Sequence, residues 1–305
     1  MKKLFLSFVL VLFASSAFSL PQLLEKQSYK VRNIEDLAFD LIWEELEIQQ
    51  NNEPDSISIE IYCNKEKYSP KIKSSVSSIN VKSTVKNFIG IGTNVKCTVI
   101  ARIPSNTNIE KFKMSTTSGN IFADYIYSEK LVASSTSGSI SVNGFNGEKC
   151  TINSTSGKIK LVNANTEETK LTSTSGSITL EGIVSQAFDI SSTSGTIGIE
   201  LNAVPDNNSR ATATSGTIFV GIPGGSSFSL NVQTTSGSFT NAFTKETIGY
   251  HVSYKADINN GGPKIILSTT SGRITVDSTN GVITNNNNTS AESDIPVVSF
   301  DDPIF

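Results

Sequence analysis

Residues 133–159 read ASSTSGSISVNGFNGEKCTINSTSGKI, and within them the triplet Thr-Ser-Gly closes twice, at Gly138 and Gly157. The triplet recurs well beyond this stretch, with its glycine at Gly119, Gly138, Gly157, Gly176, Gly195, Gly216, Gly237 and Gly272. The intervals between these glycines are 19, 19, 19, 19, 21, 21 and 35 residues. A short, nearly fixed period of this kind marks an array built from one small structural unit.

The pattern around each glycine says what the unit is. The second residue after it is Ile121, Ile140, Ile159, Ile178, Ile197, Ile218, Phe239 or Ile274, and the fourth is usually Val, Leu or Ile. The fifth residue before it is apolar in all copies (Met114, Ala133, Ile152, Leu171, Ile190, Ala211, Val232, Leu267). The seventh is mostly so: Phe112, Leu131, Cys150, Phe188, Leu230 and Ile265. Alternation at period 2 indicates strands with one buried face, and excludes helical repeats, whose period is 3.6. The buried parity slips by one residue across the glycine, which places a corner there. Glycine suits such a corner because it adopts positive φ without a Cβ penalty.

A unit of about twenty residues with two short strands cannot bury its own apolar face, whereas copies stacked about 4.8 Å apart share one core. The expected fold is therefore all-β, a parallel β-helix (β-solenoid) with coils of 19–21 residues and two short strands per coil. The corner Thr and Ser would lie above their equivalents as hydroxyl ladders.

Outward from the regular array, residues 20–110 lack the triplet but keep the alternation in IEDLAFDLIWEELEIQQ, SISIEIYC and VKCTVIARIP. They read as degenerate β coils or a cap that protects the end of the stack from edge pairing. Leu37, Phe39, Leu41 and Trp43 alternate, then the parity slips before Leu46 and Ile48, although an amphipathic helix over 33–47 is an alternative. The regular solenoid is expected over 111–277 and a flexible, Asn-rich tail over 278–305. The two extra residues of the longer steps fall opposite the corner, in NAVPDNN and GIPGG. The 35-residue step holds the largest excursion, in which Tyr250, His251, Tyr254 and Lys255 form a candidate binding loop.

The first residues, MKKLFLSFVLVLFASSAFSLPQ, combine two lysines, a short apolar run and small residues at Ala17 and Ser19, and read as a signal peptide over 1–19. The mature chain is expected to be exported to the periplasm, cell surface or exterior, with no transmembrane segment. Three cysteines, Cys63, Cys97 and Cys150, fall on buried parity and read as small core hydrophobes, with a Cys63–Cys97 disulfide left open. The formal net charge of −3 offers no basic stripe, so nucleic acid is not an expected partner.

Chemistry is sparse. A serine nucleophile is needed once, not eight times, and His251 is the single histidine. Asp124, Glu148, Glu181, Asp189 and Glu200 fall at different positions in the repeat, which scatters them around the rod. No catalytic, cofactor or metal residues are assigned. The reading is a non-enzymatic binding or scaffold module, with glycans or an envelope or host surface protein as the partner. A polysaccharide-active enzyme and an envelope-stress sensing partner are the alternatives.

The stretches IPSNTNIEKFKMSTTSGNI, the repeated STSGSI and GGPKIILSTTSGRITV resemble the bacterial putative-adhesin domain family, over roughly 37–277. The resemblance implies a single-stranded parallel β-helix, a place in exported and envelope proteins, and no catalytic residue to carry over.

Overall fold

The computed structural model describes residues 20–85, 95–105, 107 and 109–279. The leader at 1–19 and residues 280–305 of the expected tail lie outside the described residues. Before the first Thr-Ser-Gly come β1 (Gln22–Lys30), β2 (Asp36–Asp40), β3 (Glu45–Asn51), β4 (Ser56–Cys63), β5 (Lys71–Ser74), β6 (Ser78–Lys82) and β7 (Cys97–Pro104). The array continues with β8 (Ile109–Thr116), β9 (Ile121–Ala123), β10 (Ile126–Ser135), β11 (Ile140–Ser154), β12 (Ile159–Ser173) and β13 (Ile178–Ser194). It ends with β14 (Ile197–Leu201), β15 (Ser209–Ser215), β16 (Ile218–Pro223), β17 (Phe228–Asn241), β18 (Glu246–Gly249), β19 (Ser253–Ile258) and β20 (Lys264–Thr279). All twenty strands belong to one sheet, and the described helical structure is two single 3₁₀ turns. Among the described residues no helix is long and apolar enough to cross a membrane.

The repeats stack in parallel with an offset of one period. Ile121 pairs with Ile140, Ile140 with Ile159, Ile159 with Ile178, Ile178 with Ile197 and Ile197 with Ile218. Each of these isoleucines is at most 1% exposed, as are Leu171, Ile152 and Met114 on the incoming side. The result is β-solenoid-like: period-2 alternation puts every second side chain inward, and each layer closes the face left open by its neighbour.

Two features differ from the sequence expectation. In three of the four 19-residue steps the two expected short strands run on as one, so β11 and β12 each span 15 residues from one corner to the next, whereas β9 and β10 stay separate. Pairing lapses only briefly, at Gly144 and Glu148 in β11. With 21 residues, the extra two open this stretch, and β14 separates from β15 and β16 from β17.

The second difference is the order of the layers. Copies stack in chain order only as far as Gly216. The next layer is β20, which pairs in parallel with β15 and β16 on one side and with β17 on the other. The Gly272 copy therefore lies between the Gly216 and Gly237 copies. The amino-terminal end is built the same way: β2 lies between β6 and β8, and β3 between β7 and β9. Residues 36–40 and 45–51 thus form strands around a corner at 41–44, and not the alternative helix.

Beyond the outermost parallel layers the direction reverses. At one end β4 lies antiparallel on β7, β1 on β4, and β5 on β6. At the other, β18 and β19 lie antiparallel on β17. Cys63 faces Cys97 in the β4–β7 pair and the two form a disulfide, so only Cys150 is the buried free thiol that parity suggests for all three. Complete burial pushes the Cys150 thiol up to about 12.

Candidate functional site

The two long sides of the rod differ. On the corner side, Thr117, Thr136, Thr155 and their Ser neighbours are exposed, while the residue before them points inward (Thr116, Ser135, Ser154, Ser173). The backbone itself runs as a ladder through the corner, as in Ser137 N–H to Thr117 O, 2.7 Å, and Ser156 N–H to Thr136 O, 2.8 Å.

Positive φ is not what the corner glycines supply, since among the eight it occurs only at Gly272 (156°). The reason is proximity. A Cβ on Gly138 would overlap the carbonyl oxygen of Gly119, one on Gly157 that of Gly138, and one on Gly176 that of Gly157. The column continues through Gly195 and Gly216 to Gly272 and then Gly237, the layer order found from the strands. At its start Gly119 meets the carbonyl of Glu44, a fully buried residue. The Glu44 carboxylate accepts from the N–H groups of Ile42 (2.9 Å) and Trp43 (3.1 Å) and from Ser83 Oγ (2.6 Å).

The candidate loop lies at the other end of this column and does not form one site. Tyr250 and His251 both adopt left-handed φ, 56° and 51°, at the bend between β18 and β19. There Tyr250 N–H donates to Gly237 O at 2.8 Å and so terminates the ladder. The Tyr250 ring is 80% exposed. Tyr254 instead packs its ring on Phe239 (4.9 Å) and its hydroxyl donates to Glu246 and accepts from Asn241 Nδ2. Lys255 lines a separate hollow of about 370 Å³ with Asp257 and Lys264.

On the side opposite the corner a groove of about 830 Å³ runs across successive layers. Its lining repeats: Tyr127, Asn146, Asn165 and Val184, then Ser128, Gly147, Thr166 and Ser185, then Glu129, Glu148, Glu167 and Gln186. The pairs Tyr127 with Asn146, Gly147 with Thr166 and Thr166 with Ser185 fix these as equivalent positions. Asp206 extends the acidic edge one layer further. Three carboxylates therefore stack at 19-residue spacing, correcting the expectation that the acids scatter. The sequence signal was the glutamate nine residues before Gly138, Gly157 and Gly176, obscured by comparing Glu148 with acids from other columns.

Beneath the groove, as at the corner, the core includes buried hydroxyls. Thr169, fully buried in the column of Leu131 and Cys150, shares its hydroxyl with Thr166 (2.7 Å) and Ser185 (3.3 Å), and Ser185 also lies 2.9 Å from Thr166. Ser209 accepts from Phe188 N–H at 3.1 Å. Ser128 and Thr107, each 2% exposed, lie beneath the groove floor with buried hydroxyls that have no partner among the described residues, and the same holds for Ser135, Ser154 and Ser192 at the corner. Among those residues no group of three His, Cys, Asp or Glu side chains converges to hold a metal ion.

A family model described as Toastrack DUF4097 matches residues 34–277. The chain belongs to this family. The match covers the span over which the repeat motif resembles adhesin domains, and both ends of the Toastrack region coincide with strands threaded into the stack, β2 and β20. No curated protein matches the chain. Among solved structures, it is similar to a "putative lipid binding protein" of Parabacteroides distasonis (13% identity, TM-score 0.49, covering 83% of this chain and 96% of that one). It is also similar to a "putative adhesin" of Bacteroides fragilis (13%, 0.44, 85% and 97%) and another of Parabacteroides merdae (16%, 0.42, 84% and 95%).

Proposed function

We propose that this Toastrack protein is an exported, non-enzymatic binding module of the bacterial envelope whose β-helical rod holds a linear glycan in the groove opposite the glycine corner. The observation that carries this reading is the groove's repetition: carboxylates recur in three successive layers at Glu129, Glu148 and Glu167, and amides in two of them at Asn146 and Asn165, at a strand spacing of about 4.8 Å. A polymer of like units meets equivalent groups at each layer, and many weak contacts then add. Tyr127 at one end and Val184 along the rim supply apolar surface for sugar faces. The leader-like residues 1–19 and the Cys63–Cys97 disulfide both fit an oxidising compartment.

The test is binding of the mature protein to a panel of immobilised polysaccharides, with Asn146→Ala/Asn165→Ala as the comparison. Retention of at least one glycan, weakened about tenfold or more in the variant, is expected from loss of two amides. Absence of retention, or retention indifferent to the variant, overturns the reading.

A second reading, glycoside cleavage, is favoured by Glu129, Glu148 and Glu167 in successive layers, since paired carboxylates are the machinery of that reaction. They stand on one edge of the groove and do not face each other across it, which favours holding over cutting. New reducing ends released by wild type and not by Glu148→Gln would establish cleavage instead.

A further inference from the structure

The two ends of the rod are finished differently. At the amino-terminal end β1 lays Glu25, Gln27 and Tyr29 opposite Ile61, Ile59 and Ile57, on the face that elsewhere carries the core. Gln27 donates to Glu25 and Tyr29 to Gln27, so this outermost row is polar and bonded to itself, as a terminal layer in contact with water requires. The edge is also broken by a register shift between Leu23 and Glu25, a device that discourages another strand from adding.

At the other end β19 does neither. It runs opposite β17 without a shift and sets Tyr254, Ala256 and Ile258 against Val232, Leu230 and Phe228. The inward row of this last layer is therefore apolar, with Tyr254 and Ala256 only half-buried. Among the described residues β19 pairs with β17 alone, which leaves the N–H and C=O groups of its outer edge unmatched. A regular edge with an apolar face is a template for a further strand. Its outward row carries opposite charges two residues apart. Lys255 has no ion pair among the described residues, and Asp257 accepts from Ser229 Oγ at 2.6 Å.

We propose that the occupant of this edge is a second copy of the chain: two β19 strands pair antiparallel about a twofold axis at Ala256 and join two rods end to end. Directly opposed residues of an antiparallel pair lie on one face, so only registers that keep parity are open, each two residues from the next. With Ala256 facing Ala256, each Tyr254 faces Ile258 of the other copy and closes the open apolar row, and each Lys255 faces Asp257. One step of sliding in either direction sets Lys255 against Lys255 or Asp257 against Asp257, like charges directly opposed. One register thus stands out, and it is self-complementary, as a twofold contact demands. A six-residue strand from each copy is a small contact, so the edge is open in dilute protein and pairs as concentration rises. It lies beyond the layers that line the groove, and neither reading depends on the other.

Sedimentation equilibrium of the full mature chain over a range of concentrations is expected to show a monomer–dimer equilibrium. Lys255→Glu and, separately, Asp257→Lys each set like charges face to face and should weaken dimerisation at least about tenfold, with thermal midpoints checking that the fold is kept. An equimolar mixture of the two variants makes every opposed pair opposite in sign again and should restore the dimer, as should Lys255→Glu/Asp257→Lys in one chain. A wild type that stays monomeric at every concentration overturns the proposal, and so does a dimer indifferent to the single variants or one that the mixture of folded variants fails to restore. A monomeric wild type that dimerises once residues 280–305 are removed would show that this segment, and not a second copy, covers the edge.

Discussion

At the scale of single residues, the repeated glycine is a matter of distance between layers and not of backbone conformation. Strands about 4.8 Å apart leave no room where a corner brings one layer's Cα over the carbonyl oxygen of the layer before. Gly157→Ala is thus expected to force the Gly138 and Gly157 layers apart and to destabilise the protein by about 1–3 kcal/mol, the range for overpacking a tight core. Gly198 provides the contrast within the same fold. A Cβ there would find its nearest neighbour, Ile178 O, 4.0 Å away, so Gly198→Ala should be neutral or stabilising by up to about 1 kcal/mol. Urea unfolding of both variants checks the pair; equal effects would mean that layer contact is not what fixes the corner residue. The sequence made the eight positions plain because the constraint is the same in each copy. It could not separate proximity from positive φ, since both demand the same residue. Glu44 shows the limit: at this layer the corner residue has a side chain, no Thr-Ser-Gly advertises a corner, and only the slip of parity between Leu41 and Leu46 betrays it.

At the scale of elements, the amino-terminal cap is held by a buried carboxylate that joins three strands. Glu60 of β4 is 5% exposed and binds Arg102 of β7 at 2.7 Å and Lys26 of β1 at 2.9 Å, and Tyr62 donates to it at 2.9 Å. The hydrogen bond from Arg102, ahead of those from Lys26 and Tyr62, holds its acid constant down at about 2, against 4.5 when unfolded. A lowered constant stabilises the fold above the unfolded value and gives that stability up as pH falls through the folded one. The cap should therefore weaken between about pH 4.5 and pH 2, and Glu60→Gln, about 2 kcal/mol less stable at neutral pH, should remove most of that dependence. Fluorescence of Trp43, the one tryptophan, packed against the Cys63–Cys97 disulfide, reports the region directly. A slope unchanged by the substitution would mean that another group carries it. None of this ion-pair network was legible beforehand, because it depends on antiparallel pairings between segments with no shared motif. The groove was half legible: its column of glutamates is written at the repeat period, but the unpartnered Ser128 and Thr107 beneath it appear only once the layers are in place.

At the scale of the whole molecule, both ends follow one rule: the strand nearest each end of the Toastrack region is threaded one layer in, and a segment from further inside the chain forms the outer layer. For β20 this means hydrogen bonding on both edges, to β15 and β16 on one side and β17 on the other. For β2 and β3 it means the same between β6 and β8 and between β7 and β9. Fraying begins at free edges, so threading removes the terminal strands from the positions most exposed to it and leaves hairpins such as β18 and β19 there instead. The sequence hid this because all copies carry the same corner, and a 35-residue step reads equally as a long insertion between neighbours or as an excursion that makes the outer layer before returning beneath it. Hydrogen exchange distinguishes the two. With β20 inside, the amides of 265–276 should be protected as strongly as those of β12 in the middle of the rod, while those of β18 and β19 exchange orders of magnitude faster. Stacking in chain order would instead make β20 the outermost layer and the fastest of the three to exchange.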